Sequence, residues 1–225
     1  SDVCSSDLPA LVIPTPAAFK LANGLNVTLD HRKGWPVAAV KLVSRSGSGA
    51  NPLDKPGLSN FTLHMLDEGT ATRSATQFSD ELEQHGARIS FFTAEDFQGL
   101  TLTATRSHIQ AGLDLLADAA MNPAFPDQEI ERVRKRLLGE LSEGKADART
   151  TANRVLLMAL HGDKSPHGFS YLGTEESVRA IGAADLRGFW TQHFVPENLE
   201  LIVSGDFTQV ELEAMVATTF AAWKA

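Results

Sequence analysis

Residues 57–70, Gly-Leu-Ser-Asn-Phe-Thr-Leu-His-Met-Leu-Asp-Glu-Gly-Thr, hold the spacing in this chain closest to that of a metal-binding helix. On a helix, positions 60, 63 and 64 share a face, because side chains three and four residues apart lie one above the other. In a zinc helix of this spacing two histidines, at the first and last of these positions, hold the metal. A glutamate between them takes a proton from the metal-bound water. Here Asn60 stands at the first histidine position and Leu63 at the glutamate position; only His64 remains. An amide oxygen is a poor substitute for imidazole at a borderline-soft metal. Leu63 cannot accept a proton, and losing a general base alone typically costs about 10²–10⁴ in rate. The stretch reads as a zinc helix that has lost its chemistry.

Other chemistry-bearing residues carry weaker signals. His31, His85, His108 and His193 are scattered and read as exposed or capping residues. Ser46-Gly47-Ser48-Gly49 lacks the lysine of a phosphate loop, and no βαβ unit surrounds it. The basic run Arg132–Arg136 lies among Glu129, Glu131 and Glu140, as on a solvated helix face with i, i+4 pairs. Asp67 and Glu68 read as exposed acids at a helix end.

The elements that would position these residues follow from patterning. Phe19–Leu21, a turn at Asn23-Gly24, and alternating Leu25, Val27 and Leu29 predict a hairpin. Val37–Ser46 predicts a more buried strand, and residues 88–93 and 97–105 two antiparallel strands. Ser74 with Gln77, Ser107 with Gln110, and Thr208 with Glu211 have capping-box spacing at predicted helix starts. Ile109, Leu113, Leu116 and Ala120 form one inward stripe; Ile130, Val133, Leu137 and Leu141 form another, after Pro126. A helix through Val155, Leu156 and Ala159, one near Ala183–His193, and a strand at Leu199–Ser204 complete the order. Short strand connections beside clustered helices predict an α+β fold, an antiparallel or mixed sheet with helices packed on one face.

The net charge of −8 and the lack of a basic patch argue against nucleic-acid binding or an anionic membrane surface, and the apolar stretches are too short to span a bilayer. A single cysteine, Cys4, permits no intrachain disulfide. Residues 1–8 read like the translation of a sequencing-adapter oligonucleotide running into a gene. On that reading Cys4 is not native, residues 1–16 (with Pro9, Pro14 and Pro16) are a non-native or linker lead-in, and residues 17–225 are one domain from a larger chain.

Gly57, Leu58, Phe61, His64, Met65, Leu66, Gly69 and Thr70 together resemble, without gaps, the zinc-helix segment of the insulinase/pitrilysin metallopeptidases, the inverzincins. Asn122-Pro123-Ala124-Phe125, Gly173-Thr174, Asp185-Leu186, Pro196 with Asn198, and Ser204-Gly205-Asp206 extend the resemblance from about Phe19 almost to the end. The resemblance implies a domain of a peptidase whose paired halves close around the substrate, one half carrying zinc and the other metal-free. It makes His64 and Glu140 vestigial ligand positions, implies no zinc in this chain, and places the zinc in a partner half. It reads His161 and His167 as part of a polar surface turn. It also implies peptide binding by strand addition at a chamber edge, matched by position to the strand 37–46 ending at Ser46 and Gly47. The leading expectation is a non-catalytic domain that closes the chamber and positions peptide. A weakly active zinc peptidase using His64 and Glu140 and a purely structural subunit are the alternatives; a periplasmic location follows from the resemblance alone.

Overall fold

The structure is a computed structural model that describes residues 15–223. Cys4, the adapter-like residues 1–8, Pro9, Pro14 and the last two residues lie outside the described part. The elements run β1 (Ala17–Lys20), β2 (Asn26–His31), β3 (Val37–Ser44), α1 (Leu58–Leu63), α2 (Ala75–Gln84), β4 (Arg88–Thr93) and β5 (Gln98–Thr105). There follow α3 (Ile109–Met121), α4 (Asp127–Ala146), α5 (Ala148–His161), α6 (Glu175–Ala180), α7 (Ala183–His193), β6 (Leu199–Gly205) and α8 (Gln209–Phe220).

The strands form a six-stranded mixed sheet in the order β1-β2-β6-β3-β5-β4. The predicted first hairpin forms, with Phe19 opposite Val27. β6 then inserts between β2 and β3, parallel to the first and antiparallel to the second. Burial alternates along β3 and β6, so Val40, Leu42, Leu201 and Val203 face the helices while Lys41, Glu200 and Ile202 face outward. A sheet covered on one face produces this period of two. Leu113 and Leu116 of α3, Val133 and Leu137 of α4, Leu186 of α7 and Val216 of α8 are buried with them in one apolar core.

Two of the three predicted capping boxes form, Ser74 with Gln77 and Thr208 with Glu211. The third does not: α3 starts after His108 without a side-chain cap, and the Ser107 hydroxyl is drawn to Thr105 and His108. Among the described residues, no helix is long and apolar enough to cross a membrane.

Candidate functional site

α1 is short and wholly interior, with all six of its residues buried. Gly57 opens it at φ 91°, a left-handed conformation, and a Cβ there would lie 2.7 Å from the Leu172 carbonyl oxygen; both features call for glycine. The Asn51 side-chain oxygen accepts the Ser59 N–H at 2.7 Å, capping a donor the first turn would otherwise leave open. After His64 the chain tightens, with Met65 N–H donating to Thr62 and Leu66 N–H to Leu63. The helix therefore stops one residue before its last candidate ligand.

The side chains on and around it engage one another. Asn60 is almost fully buried, and its side-chain oxygen accepts from the Thr93 hydroxyl at 3.2 Å. Leu63 has no exposed surface and packs into the core. His64 meets the Phe91 ring edge-on at 5.1 Å between centroids. Burial, with a contribution from the Arg136 charge, pushes its pKa down to about 4, so the ring is neutral at pH 7. Glu140 on α4 pairs with the same Arg136 at 3.3 Å, and no hydrogen bond joins it to His64 among the described residues. A catalytic zinc takes three protein ligands and a water. Here one position is an engaged amide, the imidazole feels a guanidinium, and the carboxylate is paired to that guanidinium. Among the described residues, no three His, Cys, Asp or Glu side chains gather as a metal site. The donor set does not fit zinc.

Residues 26–167 match the family profile Insulinase (Peptidase family M16), and residues 180–225 match that of the Peptidase M16 inactive domain. The chain belongs to the insulinase (M16) peptidase family. It is 28% identical over 200 residues to an uncharacterized zinc protease of Mycobacterium leprae, covering 89% of this chain and 45% of that protein. It is 25% identical over 213 residues to a probable mitochondrial-processing peptidase subunit beta of Arabidopsis thaliana, covering 93% and 39%. The solved peptidase M16 inactive domain from Pseudomonas fluorescens superposes with a TM-score of 0.87 at 22% identity, over 93% of this chain and 51% of that one. The chain thus spans about half the length, or less, of these M16 relatives.

Within the M16 fold, the strand matched to the chamber edge proves to be interior. β3 is paired on both sides, with β5 and with β6, so it has no free edge for a peptide. Ser46 and Gly47, just beyond it, are engaged internally: the Ser46 hydroxyl bonds His193 Nδ1 at 2.9 Å and accepts from Asn198 at 3.1 Å. A Cβ on Gly47 would lie 2.2 Å from the Ala94 carbonyl oxygen. Among the described residues, the edge strands of the sheet are β1 and β4. Of these, β4 adjoins α1, through Phe91 on His64 and Thr93 on Asn60. The signal for this in the sequence was weak, because pairing order depends on where the late strand β6 inserts.

The acidic and basic residues nearby also depart from their predicted exposure. Asp67 and Glu68 are largely shielded and border a cleft of about 410 Å³ with Phe78, Glu129 and Arg132. Burial raises the Asp67 pKa to about 7, helped by the neighbouring Glu68 charge. Glu68 is also raised by burial, and it pairs with Arg132. Arg134 is no solvated residue either: its guanidinium donates to the Val178 and Ile181 carbonyls at the end of α6. His193, predicted exposed or capping, is half-buried against Phe189 and Ser46. His161 and His167 lie with ring centroids 5.8 Å apart, and among the described residues no carboxylate or thiol completes a metal site with them.

Proposed function

We propose that this chain is a non-catalytic domain of an M16 peptidase. It closes the degradation chamber against a zinc-bearing half, in the same full-length chain or in a partner subunit, and helps position the peptide there. The observation that carries this reading is Asn60 and Leu63, both buried on α1 where the family's zinc helix would place a ligand and a base. Asn60 and Leu63 supply neither ligand nor base, and Glu140 is paired with Arg136. β4, as a free edge beside this helix, suits main-chain pairing with an extended peptide, and takes the role first matched to the strand at 37–46.

The test is zinc content per folded chain, purified without chelator and dialysed against excess zinc. Background zinc and no peptide cleavage by the chain alone are expected. Cleavage should appear when a zinc-bearing half is supplied, and His64→Ala in this chain should leave it unchanged. One tightly held zinc per chain, lost on His64→Ala, overturns the reading in favour of a peptidase in its own right. A stable complex without peptidase activity would instead make the chain a purely structural subunit.

A further inference from the structure

The loop from Asn51 to Lys55 and helix α7 border a cleft of about 550 Å³, to whose lining neither α4 nor β4 contributes. Its floor is apolar, with Leu58 and Phe189 almost fully buried. Two side chains bring unpartnered N–H groups to it. Asn51 is only 6% exposed, and its Oδ1 accepts the Ser59 N–H at 2.7 Å. A backbone N–H bonds only the oxygen of an amide, so the orientation is fixed. Nδ2 is the end left for the cleft, without a partner among the described residues. His193 is set by its neighbours. Asn198 donates to Ser46 Oγ at 3.1 Å, which leaves the Ser46 proton to go to His193 Nδ1 at 2.9 Å. Burial lowers the His193 pKa, so the ring is neutral and its own proton sits on Nε2. That N–H, too, has no partner among the described residues. At the rim, Asp54 is an exposed carboxylate without an ion pair among the described residues, while Lys55 and Asp185 pair with each other.

We propose that this cleft is a subsite for a carboxamide side chain, that of a glutamine or asparagine in a bound peptide. The proposal rests on the peptide-positioning reading above and adds a side-chain preference to it. Two N–H donors call for an oxygen acceptor, and Asp54 calls for a donor. With Lys55 and Asp185 cancelling, Asp54 leaves the cleft net negative, so a ligand carboxylate is repelled. A lysine or arginine head would meet Asp54 in an exposed pair of little worth and leave Asn51 and His193 without an acceptor. A main-chain peptide unit is trans, so its C=O and N–H point in opposite directions and do not both face one wall. A primary amide carries one N–H on the same side as its oxygen. It can take both donors on that oxygen, give the N–H to Asp54, and lay its methylene groups on Leu58 and Phe189.

The probes are the N-acetyl, N-methylamide derivatives of glutamine, glutamate, lysine and methionine, titrated into the isotope-labelled chain and followed by backbone amide chemical shifts. The glutamine probe should shift residues 50–55 and α7 and bind about tenfold more tightly than the other three, as one or two added hydrogen bonds allow. Asn51→Asp keeps an oxygen on the Ser59 N–H and removes the Nδ2 donor, so glutamine binding should fall about tenfold while the helix stays capped. Asp54→Ala, at an exposed loop position, should keep the parent's thermal midpoint and weaken the same probe about threefold. Equal or tighter binding of any other probe overturns the carboxamide assignment, as does the absence of a titratable shift with all four. Glutamine binding that both variants leave unchanged, or shifts confined to β4, overturns the cleft as its site. The chamber reading has a separate readout, cleavage with a supplied zinc-bearing half. If that cleavage fails while the glutamine probe binds as expected, the chamber reading falls and the carboxamide site stands.

Discussion

At the scale of single residues, the proposed absence of a zinc site rests on several residues at once. On the proposed reading Asn60 and Leu63 stand where a ligand and a base would be, and the Arg136 charge adds to burial in holding His64 neutral. Restoring one residue should therefore fail. In Asn60→His, isothermal titration with zinc is expected to show no tight binding. Adding Arg136→Gln should raise the affinity at least tenfold by removing the nearby charge and freeing Glu140. Equal affinity in the two variants would show that Arg136 does not guard the site. Asp67 and His64 also give the fold opposing pH dependences. The folded-state pKa of Asp67, about 7, is raised above its ordinary value, so the native state holds a proton the unfolded chain has lost, and stability falls as pH rises from about 4 to about 7. His64, lowered to about 4, behaves oppositely: the unfolded chain holds the extra proton, and stability rises from about pH 4 to about 6.5. In Asp67→Asn, of these two contributions only the rising one remains. Urea midpoints should show the variant gaining on the parent between pH 4.5 and 7.5 by on the order of 1–3 kcal/mol. A difference that stays flat with pH would place the Asp67 carboxyl in water.

At the scale of elements, β4 and the turn after it are held by close backbone contact as well as by ladder hydrogen bonds. Gly47 lies against this turn, where a Cβ would meet the Ala94 carbonyl oxygen at 2.2 Å and the Phe97 N at 2.6 Å. Gly47→Ala should cost about 1–3 kcal/mol, as overpacking does, and should speed hydrogen exchange first in β4 and its turn. Unchanged stability would mean that the loop moves aside freely. The capping boxes at Ser74 and Thr208 and the inward stripes of α3 and α4 were legible in the sequence, because each depends on residues within one or two turns. The failed box at Ser107 has a local cause too: Thr105 and His108 compete for the same hydroxyl, and spacing alone does not reveal that competition.

At the scale of the molecule, the two family matches, ending at 167 and beginning at 180, divide a sheet that the fold does not divide. β6 comes from the second stretch and sits between β2 and β3 of the first, with Val203 opposite both Leu29 and Val40. A chain ended after Ala180 loses this strand, together with α7 and α8, and leaves two interior edges of the sheet open. It is expected to show no cooperative unfolding transition by circular dichroism. A cooperative transition would mean that the first stretch folds alone.

The α+β class, the first hairpin and the helix stripes were determined by residues near one another in sequence, where identity and period are enough. The tertiary structure alone decided that β3 is interior and β4 an edge, that Asp67, Glu68 and Arg134 are shielded, and that the apolar residues of α5 face outward. Each of these depends on which distant segment arrives beside it. β6 pairs with β2 across more than 170 residues, and α5 shows one face outward because its other side rests on α4 and the Pro166–Gly168 turn. A local pattern can say that a surface is apolar. Which neighbour covers it is a property of the assembled chain.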